Sequence, residues 1–156
     1  MADHQHPVGV PPGWIGRAET ELRRAGHHST VPRSTIITAI GAEDCLVTAD
    51  ELIHRLRDAG RPIGAATVYR TLELLERLRL LRRIEIGDGV ARYEPAMPDG
   101  EHHHHHYVCL SCGTVTPFED RDLEEAMVSL ARRFDQPVEG HEVILKGTCA
   151  RCAGHP

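Results

Sequence analysis

Four of the five cysteines form two Cys-x-x-Cys pairs, Cys109/Cys112 and Cys149/Cys152, which are separated by residues 113–148. Each pair is expected at a turn after a strand, so that four thiolates converge tetrahedrally on a structural Zn²⁺. A redox dithiol or two disulfides are the alternatives. The N-terminus lacks an apolar export segment, however, and in a chain of that kind paired cysteines favour metal binding. The sequence therefore predicts a small zinc-stabilised domain.

Length and composition limit the class of protein to which the chain can belong. Its 156 residues suffice for one domain or two small ones, and 40% hydrophobic with 26% charged residues exclude a disordered or fibrous protein. No stretch approaches the roughly 18 apolar residues of a membrane span, so we expect no membrane partner and a cytoplasmic location. The net charge is −5, yet residues 17–83 hold twelve Arg against nine Asp and Glu. This half is the one suited to facing phosphates.

Hydrophobic periodicity in this half predicts four helices, over residues 14–25, 30–41, 48–59 and 65–79. The third begins at a capping box formed by Thr48 and Glu51. Two short apolar segments, Leu80–Ile86 and Val90–Glu94, then flank Gly87-Asp88-Gly89, which is typical of a β-hairpin. The order predicts a winged helix-turn-helix.

The second half begins with a Pro- and Gly-containing linker over residues 95–101. Beyond it, strands are predicted over 103–110, 114–118 and 142–146 and a helix over 120–134, which make a small α/β domain. The fold class is therefore α+β. We divide the chain into a flexible N-terminal arm (1–13), a winged-helix domain (14–94), the linker (95–101) and a metal-binding domain (102–156).

Five consecutive histidines, His102–His106, lead into the strand that ends near Cys109. An expression tag needs neither this internal position nor the strand. Successive side chains of a strand point to opposite faces, so His104 and His106 share one face and His103 and His105 the other. The candidate partners for these pairs are Glu94, Glu124 and His141, each of which is, taken alone, equally consistent with a solvated surface group.

The fourth predicted helix begins with small residues followed by Tyr69 and Arg70 on its outer face. A recognition helix that enters a DNA groove has these features, although an ordinary exposed helix face shows them too.

Together these segments resemble the ferric uptake regulator family. Ala66-Thr-Val-Tyr-Arg-Thr71 resembles its recognition-helix motif, and His102–Cys112 resembles its His-rich segment leading into Cys-x-x-Cys. The resemblance covers residues 17–152. It implies a homodimer of two-domain subunits, in which a winged helix binds a palindromic double-stranded operator, a C-terminal domain dimerises, and bound metal usually causes repression.

The resemblance also implies roles for single residues. It assigns the structural zinc to Cys109, Cys112, Cys149 and Cys152, a regulatory hinge site to Glu94, His104 and His106, and an additional metal site to His103, His105, Glu124 and His141. The DNA contacts that it implies are Arg33, Ala66, Thr67, Tyr69 and Arg70.

Two departures affect the hinge site. Leu46 stands where many members have a His, and Pro117 where a carboxylate often stands, which leaves Glu119 or Cys45 as candidate replacements. Zinc-sensing relatives tend to place a Cys in this site, and no Cys lies between Leu46 and Val108. Nitrogen and oxygen ligands suit Fe²⁺, Mn²⁺ and Zn²⁺. We expect Fe²⁺, with Zn²⁺, Mn²⁺ or a peroxide response as alternatives.

The expected function is a metal-responsive, DNA-binding transcriptional repressor of metal uptake or homeostasis genes. A metal buffer or chaperone without DNA binding is an alternative, but it needs neither an Arg-bearing recognition helix nor a wing. A zinc hydrolase needs an open coordination position and a positioned base, and no His-Glu-x-x-His pair occurs. The chain is not expected to be an enzyme.

Overall fold

A computed structural model describes residues 12–43, 45–96 and 104–154. Most of the predicted N-terminal arm and linker, together with His102 and His103, lies outside these ranges. The described residues form two compact units that divide after residue 101. Each combines helices with a three-stranded sheet, which confirms the α+β class. Within the described ranges, no helix is long and apolar enough to span a bilayer.

The N-terminal unit is a winged helix. Its elements are α1 (Trp14–Arg24), α2 (Val31–Ile40), β1 (Val47–Thr48), α3 (Ala49–Asp58), α4 (Ala65–Arg77), β2 (Leu81–Glu85) and β3 (Ala91–Pro95). The sheet is antiparallel in the order β1-β3-β2, with Val47 opposite Tyr93. The sequence did not predict β1, because two residues are too short to show an alternating pattern.

Local signals fix the helix ends in this unit. In the predicted capping box, the Glu51 N–H donates to the Thr48 hydroxyl (3.1 Å), and the Thr48 N–H donates to the Glu51 carboxylate (2.8 Å). Helix α4 ends two residues before the predicted Arg79, because Arg79 adopts a left-handed backbone conformation with φ 55°.

The core of this unit lies between the helices and the sheet. Its largest fully buried members are Trp14, Leu22, Ile36, Ile37, Ile40, Val47, Leu52, Leu72, Leu75 and Ile84. The Trp14 indole N–H also donates to the Leu80 carbonyl oxygen at 2.9 Å. Because Val68, Leu72 and Leu75 face this core, the opposite face of α4 is exposed. The packed core therefore holds α4 in place with its opposite face exposed to solvent.

The C-terminal unit contains β4 (His105–Cys109), β5 (Val115–Phe118), α5 (Arg121–Ala131), β6 (Ile144–Gly147) and α6 (Ala150–Ala153). Strand β4 is central, antiparallel to β5 and parallel to β6. It begins at His105, two residues after the predicted start. The sequence did not predict α6, since four residues give no helical period.

This second unit has little core of its own. Among its described residues only Val108, Cys109, His105 and His106 are buried, and α5 buries none of its side chains. Two of these four are polar. Apolar burial within a single copy is therefore small, and other interactions must contribute to the stability of the unit.

Candidate metal centres and DNA-reading face

The two Cys-x-x-Cys pairs lie together in the C-terminal unit. Cys109 ends β4, and Cys112 lies in the turn after it. Cys149 is the N-cap residue of α6, and Cys152 lies within that helix. The four Sγ atoms all lie within 4.8 Å of one another, and those of Cys112 and Cys149 are 3.8 Å apart. A tetrahedron with Zn–S bonds of about 2.3 Å has edges of about 3.8 Å. All four residues are free thiols rather than disulfides, so the set fits a zinc ion.

Electrostatics in this cluster also favour a cation. The pKa of Cys109 is lowered to about 6, mainly because the Cys149 N–H donates to its sulfur. The Thr114 hydroxyl, 3.2 Å from Cys112 Sγ, is the main cause of a lowered pKa for that thiol. The pKa of Cys152 is instead raised to about 12, chiefly by its hydrogen bond to Cys149. Four adjacent thiols do not all ionise together unless a cation compensates their charge.

A second group in the same unit joins β4 to α5. His105 Nε2 lies 2.7 Å from Glu124 Oε1, and His141 Nε2 lies 3.1 Å from Glu124 Oε2. The two imidazole rings have centroids 5.3 Å apart, and His105 is only 1% exposed. The structure thus brings together three of the four residues expected at the additional site; the fourth, His103, lies outside the described residues. Two imidazoles and a carboxylate are ligands for Fe²⁺, Mn²⁺ or Zn²⁺, and without metal they form hydrogen bonds.

The other face of β4 carries a pair of imidazoles. The ring centroids of His104 and His106 are 5.0 Å apart, with the planes inclined by 73°. His106 is fully buried at 0% exposure. The structure thus brings together His104 and His106, one of the two pairs predicted from strand alternation; the second pair includes His103, which lies outside the described residues.

Glu94 is a buried carboxylate in the N-terminal unit. It lies on β3, is 2% exposed, and faces Arg82 across the β2–β3 ladder, with 3.5 Å between Arg82 Nε and Glu94 Oε1. A buried carboxylate is costly unless a cation compensates it, and Arg82 supplies one positive charge. The sequence did not predict that Arg82 pairs with Glu94, because this pairing depends on the strand register.

The position of Pro117 determines whether this residue could supply a metal ligand beside His106. Pro117 lies directly opposite His106 in the β4–β5 ladder, and β5 is an edge strand, where a proline is tolerated. A carboxylate there would be next to the imidazole, but the proline ring offers no donor atom. Glu119 follows just after β5 and is exposed.

The exposed face of α4 carries the residues predicted to read DNA. Tyr69 is 44% exposed, Arg70 and Ala66 are exposed, and Thr67 is half-buried. The Tyr69 hydroxyl donates to Asp50 Oδ1 of α3 at 3.4 Å, and this carboxylate is the main cause of the raised pKa of Tyr69. The sequence did not predict this partner.

Arg33 lies elsewhere, in the first turn of α2. It is half-buried, and its guanidinium donates to the His28 carbonyl oxygen. One N–H group of the Arg33 guanidinium therefore already has a hydrogen-bond partner within the protein, and the other N–H groups would have to make any contact with DNA.

The family profile described as "Ferric uptake regulator family" matches residues 24–146. The chain belongs to the ferric uptake regulator family. A relative from Bacillus subtilis (strain 168), named "Ferric uptake regulation protein", is 33% identical over 141 residues, which are 90% of this chain and 95% of the relative.

Solved structures of family members have the same fold. The Vibrio cholerae ferric uptake regulator matches with a TM-score of 0.74 and 32% identity over 84% of this chain and 98% of that chain. A Pseudomonas aeruginosa ferric uptake regulator with manganese matches with a TM-score of 0.70 and 30% identity over 84% and 96% of the two chains.

Membership confirms the winged-helix and dimerisation-domain architecture, and it makes the chain a metal-responsive transcriptional regulator and not an enzyme. The zinc-hydrolase alternative is therefore wrong. Family members are dimeric DNA-binding regulators, and the described residues of this chain include groups of side chains that could hold metal ions.

Proposed function

We propose that this protein is a dimeric repressor whose binding to a palindromic operator is switched on by a regulatory divalent metal, with Fe²⁺ first and Zn²⁺ or Mn²⁺ as alternatives. The iron assignment rests on curated relatives named for ferric uptake regulation. Manganese is an alternative because the structure of the Pseudomonas aeruginosa relative was solved with that metal.

Glu94, His104 and His106 are the proposed ligands of this regulatory metal. The observation that carries the proposal is that two of these side chains are buried: Glu94 is 2% exposed and faces Arg82, and His106 is 0% exposed on β4. A carboxylate and imidazole groups are suitable ligands for a divalent metal ion, whose positive charge would compensate the negative charge of the carboxylate. Because Glu94 belongs to the winged-helix unit and the histidines to the other, a shared metal would couple the two.

The remaining sites have separate roles in the proposal. The four cysteines hold a structural zinc, and His103, His105, Glu124 and His141 form an additional metal site. The proposed domain boundaries are 14–94 and 102–156, with residues 95–101 as the hinge.

A second copy of the chain is the proposed partner of the apolar face on and after α5. Large apolar side chains are exposed here: Val128 (50%), Leu130 (42%), Phe134 (59%), Val138 (49%) and, on β6, Leu145 (49%). Large exposed apolar side chains in this number within one small unit are typical of a surface that another protein covers. A symmetric dimer would bury the face in both copies and supply the core that each unit lacks.

Operator DNA is the proposed ligand of α4. Tyr69, Arg70, Ala66 and Thr67 would face the major groove, and Arg33 would contact the backbone. Small residues at the start of the helix allow its close approach to the base edges.

The test is DNA binding titrated anaerobically with Fe²⁺, Mn²⁺, Zn²⁺ and Ni²⁺, using a duplex that the protein selects from a randomised pool. We expect Fe²⁺ to give the largest increase in affinity at the lowest free concentration. His106→Ala should abolish the increase while the Cys-site zinc and the dimer persist, and the matched variant His105→Ala on the opposite face of β4 should have a milder effect.

The outcomes separate the proposals. If His106→Ala retained normal metal stimulation, the switch would move to the site containing His105, Glu124 and His141. If no metal changed DNA affinity, the regulatory proposal would be wrong. Cys45→Ser and Glu119→Gln in the same titration show which residue, if either, completes the hinge site.

A further inference from the structure

The contact between α3 and α4 involves a residue outside the predicted DNA-reading set. Asp50 lies in the first turn of α3, and its Oδ1 accepts a hydrogen bond from the Tyr69 hydroxyl across 3.4 Å. The two residues are nineteen positions apart in the chain, so the contact exists only because α3 and α4 pack together. Both side chains are exposed, on the side of the unit that presents α4.

Asp50 is well suited to act as a fixed acceptor. The Thr48–Glu51 capping box holds the start of α3 in one conformation. The position of the Asp50 carboxylate is thus set by the start of α3, independently of DNA.

A fixed acceptor affects how readily Tyr69 can bind DNA. An exposed tyrosine can occupy several rotamers. Restricting it to the one rotamer that matches the DNA costs conformational entropy on binding. A hydrogen bond that orients the phenol beforehand reduces this cost. Because the phenol oxygen also has lone pairs, it can accept a hydrogen bond from a base edge while its O–H stays directed at Asp50.

We propose that Asp50 is a positioning residue for DNA recognition: its carboxylate orients the Tyr69 hydroxyl, so that Asp50 determines sequence specificity without contacting a base. This inference rests on the proposed role of α4 as the DNA-reading helix. Asp50 thereby extends the recognition surface to α3.

The experiment measures the ratio of affinities for the selected duplex and for a shuffled duplex of equal length and composition, with saturating regulatory metal. Asp50→Ala should lower this ratio about threefold to tenfold, the range for one lost hydrogen bond. Asp50→Asn keeps an acceptor oxygen while removing the charge, so it should raise both affinities and restore the ratio to within about twofold. Asp58→Ala, at the exposed end of α3, is the matched control for a lost negative charge.

A double-mutant cycle then tests whether Asp50 acts through Tyr69. Tyr69→Phe should lower the ratio in the parent protein and have little further effect in Asp50→Ala. Additive effects, or an unchanged ratio in Asp50→Ala, would overturn the inference. An Arg70→Ala variant that bound the selected duplex normally would instead overturn the proposed role of α4. Thermal melting of each variant confirms that the differences arise in folded protein.

Discussion

Replacing Cys112 by Ser should unfold the C-terminal unit and leave the N-terminal unit folded. The substitution removes one sulfur from a set whose four Sγ atoms lie within 4.8 Å of one another. A serine hydroxyl is a much poorer zinc ligand than a thiolate, so the site should no longer hold its metal.

The magnitude follows from the burial in each unit. In the described part of the C-terminal unit, Val108 is the only buried apolar side chain apart from Cys109, which is itself a proposed zinc ligand. Full burial of a valine contributes about 1.5–3 kcal/mol. A structural zinc contributes on the order of 10 kcal/mol or more of folding free energy. The N-terminal unit instead has a continuous buried cluster from Trp14 to Tyr93, which does not depend on the zinc.

Hydrogen exchange on the full chain, followed by mass spectrometry, resolves the two units. In Cys112→Ser, amides of β4 and β6 should lose protection, amides of α4 should keep it, and elemental analysis should show one zinc fewer per chain. Ser129→Ala is the control, since Ser129 is an exposed residue of α5 outside every proposed ligand set and its replacement should leave both readouts unchanged. A zinc-free Cys112→Ser protein with protected β4 amides and an intact dimer would refute this reasoning.

Three further outcomes are expected. Arg70→Ala should weaken binding to the selected duplex far more than binding to random DNA, as measured by mobility-shift titration. Equal losses of affinity for the two duplexes would indicate that Arg70 contacts phosphates rather than bases. Phe134→Glu should convert the dimer to monomers in analytical ultracentrifugation, because it places a charge on the exposed apolar face; an unchanged dimer would place the interface elsewhere. The pKa of Asp88 is lowered to about 2, chiefly by its hydrogen bond to Arg92, so this pair should stabilise the wing above about pH 4 and lose its effect as the pH falls through about 2. Carboxyl NMR should show the pKa returning towards 3.8 in Arg92→Ala, and an unchanged value would contradict the pairing.

The parts of the fold that the sequence predicted have local causes. The capping box at Thr48 and the apolar spacing of α4 depend on residues a few positions apart. The grouping of the histidines likewise follows from the alternation of one strand. By contrast, β1 and α6 are too short to show a period.

The unpredicted contacts at the sites depend on long-range packing. Arg82 meets Glu94 because of the β2–β3 register, and Asp50 meets Tyr69 because α3 packs beside α4. Neither pairing has a sequence signal, since a charged residue on an exposed strand or helix has many possible partners.

The central claim is that regulatory metal and operator DNA stabilise each other's binding. The most direct measurement is the dissociation constant of the regulatory metal with and without a saturating operator duplex, by anaerobic competition with a fluorescent chelator. By linkage, DNA should tighten metal binding by the same factor by which metal tightens DNA binding, about 5-fold to 150-fold. A metal affinity that is the same with and without the duplex would contradict the claim.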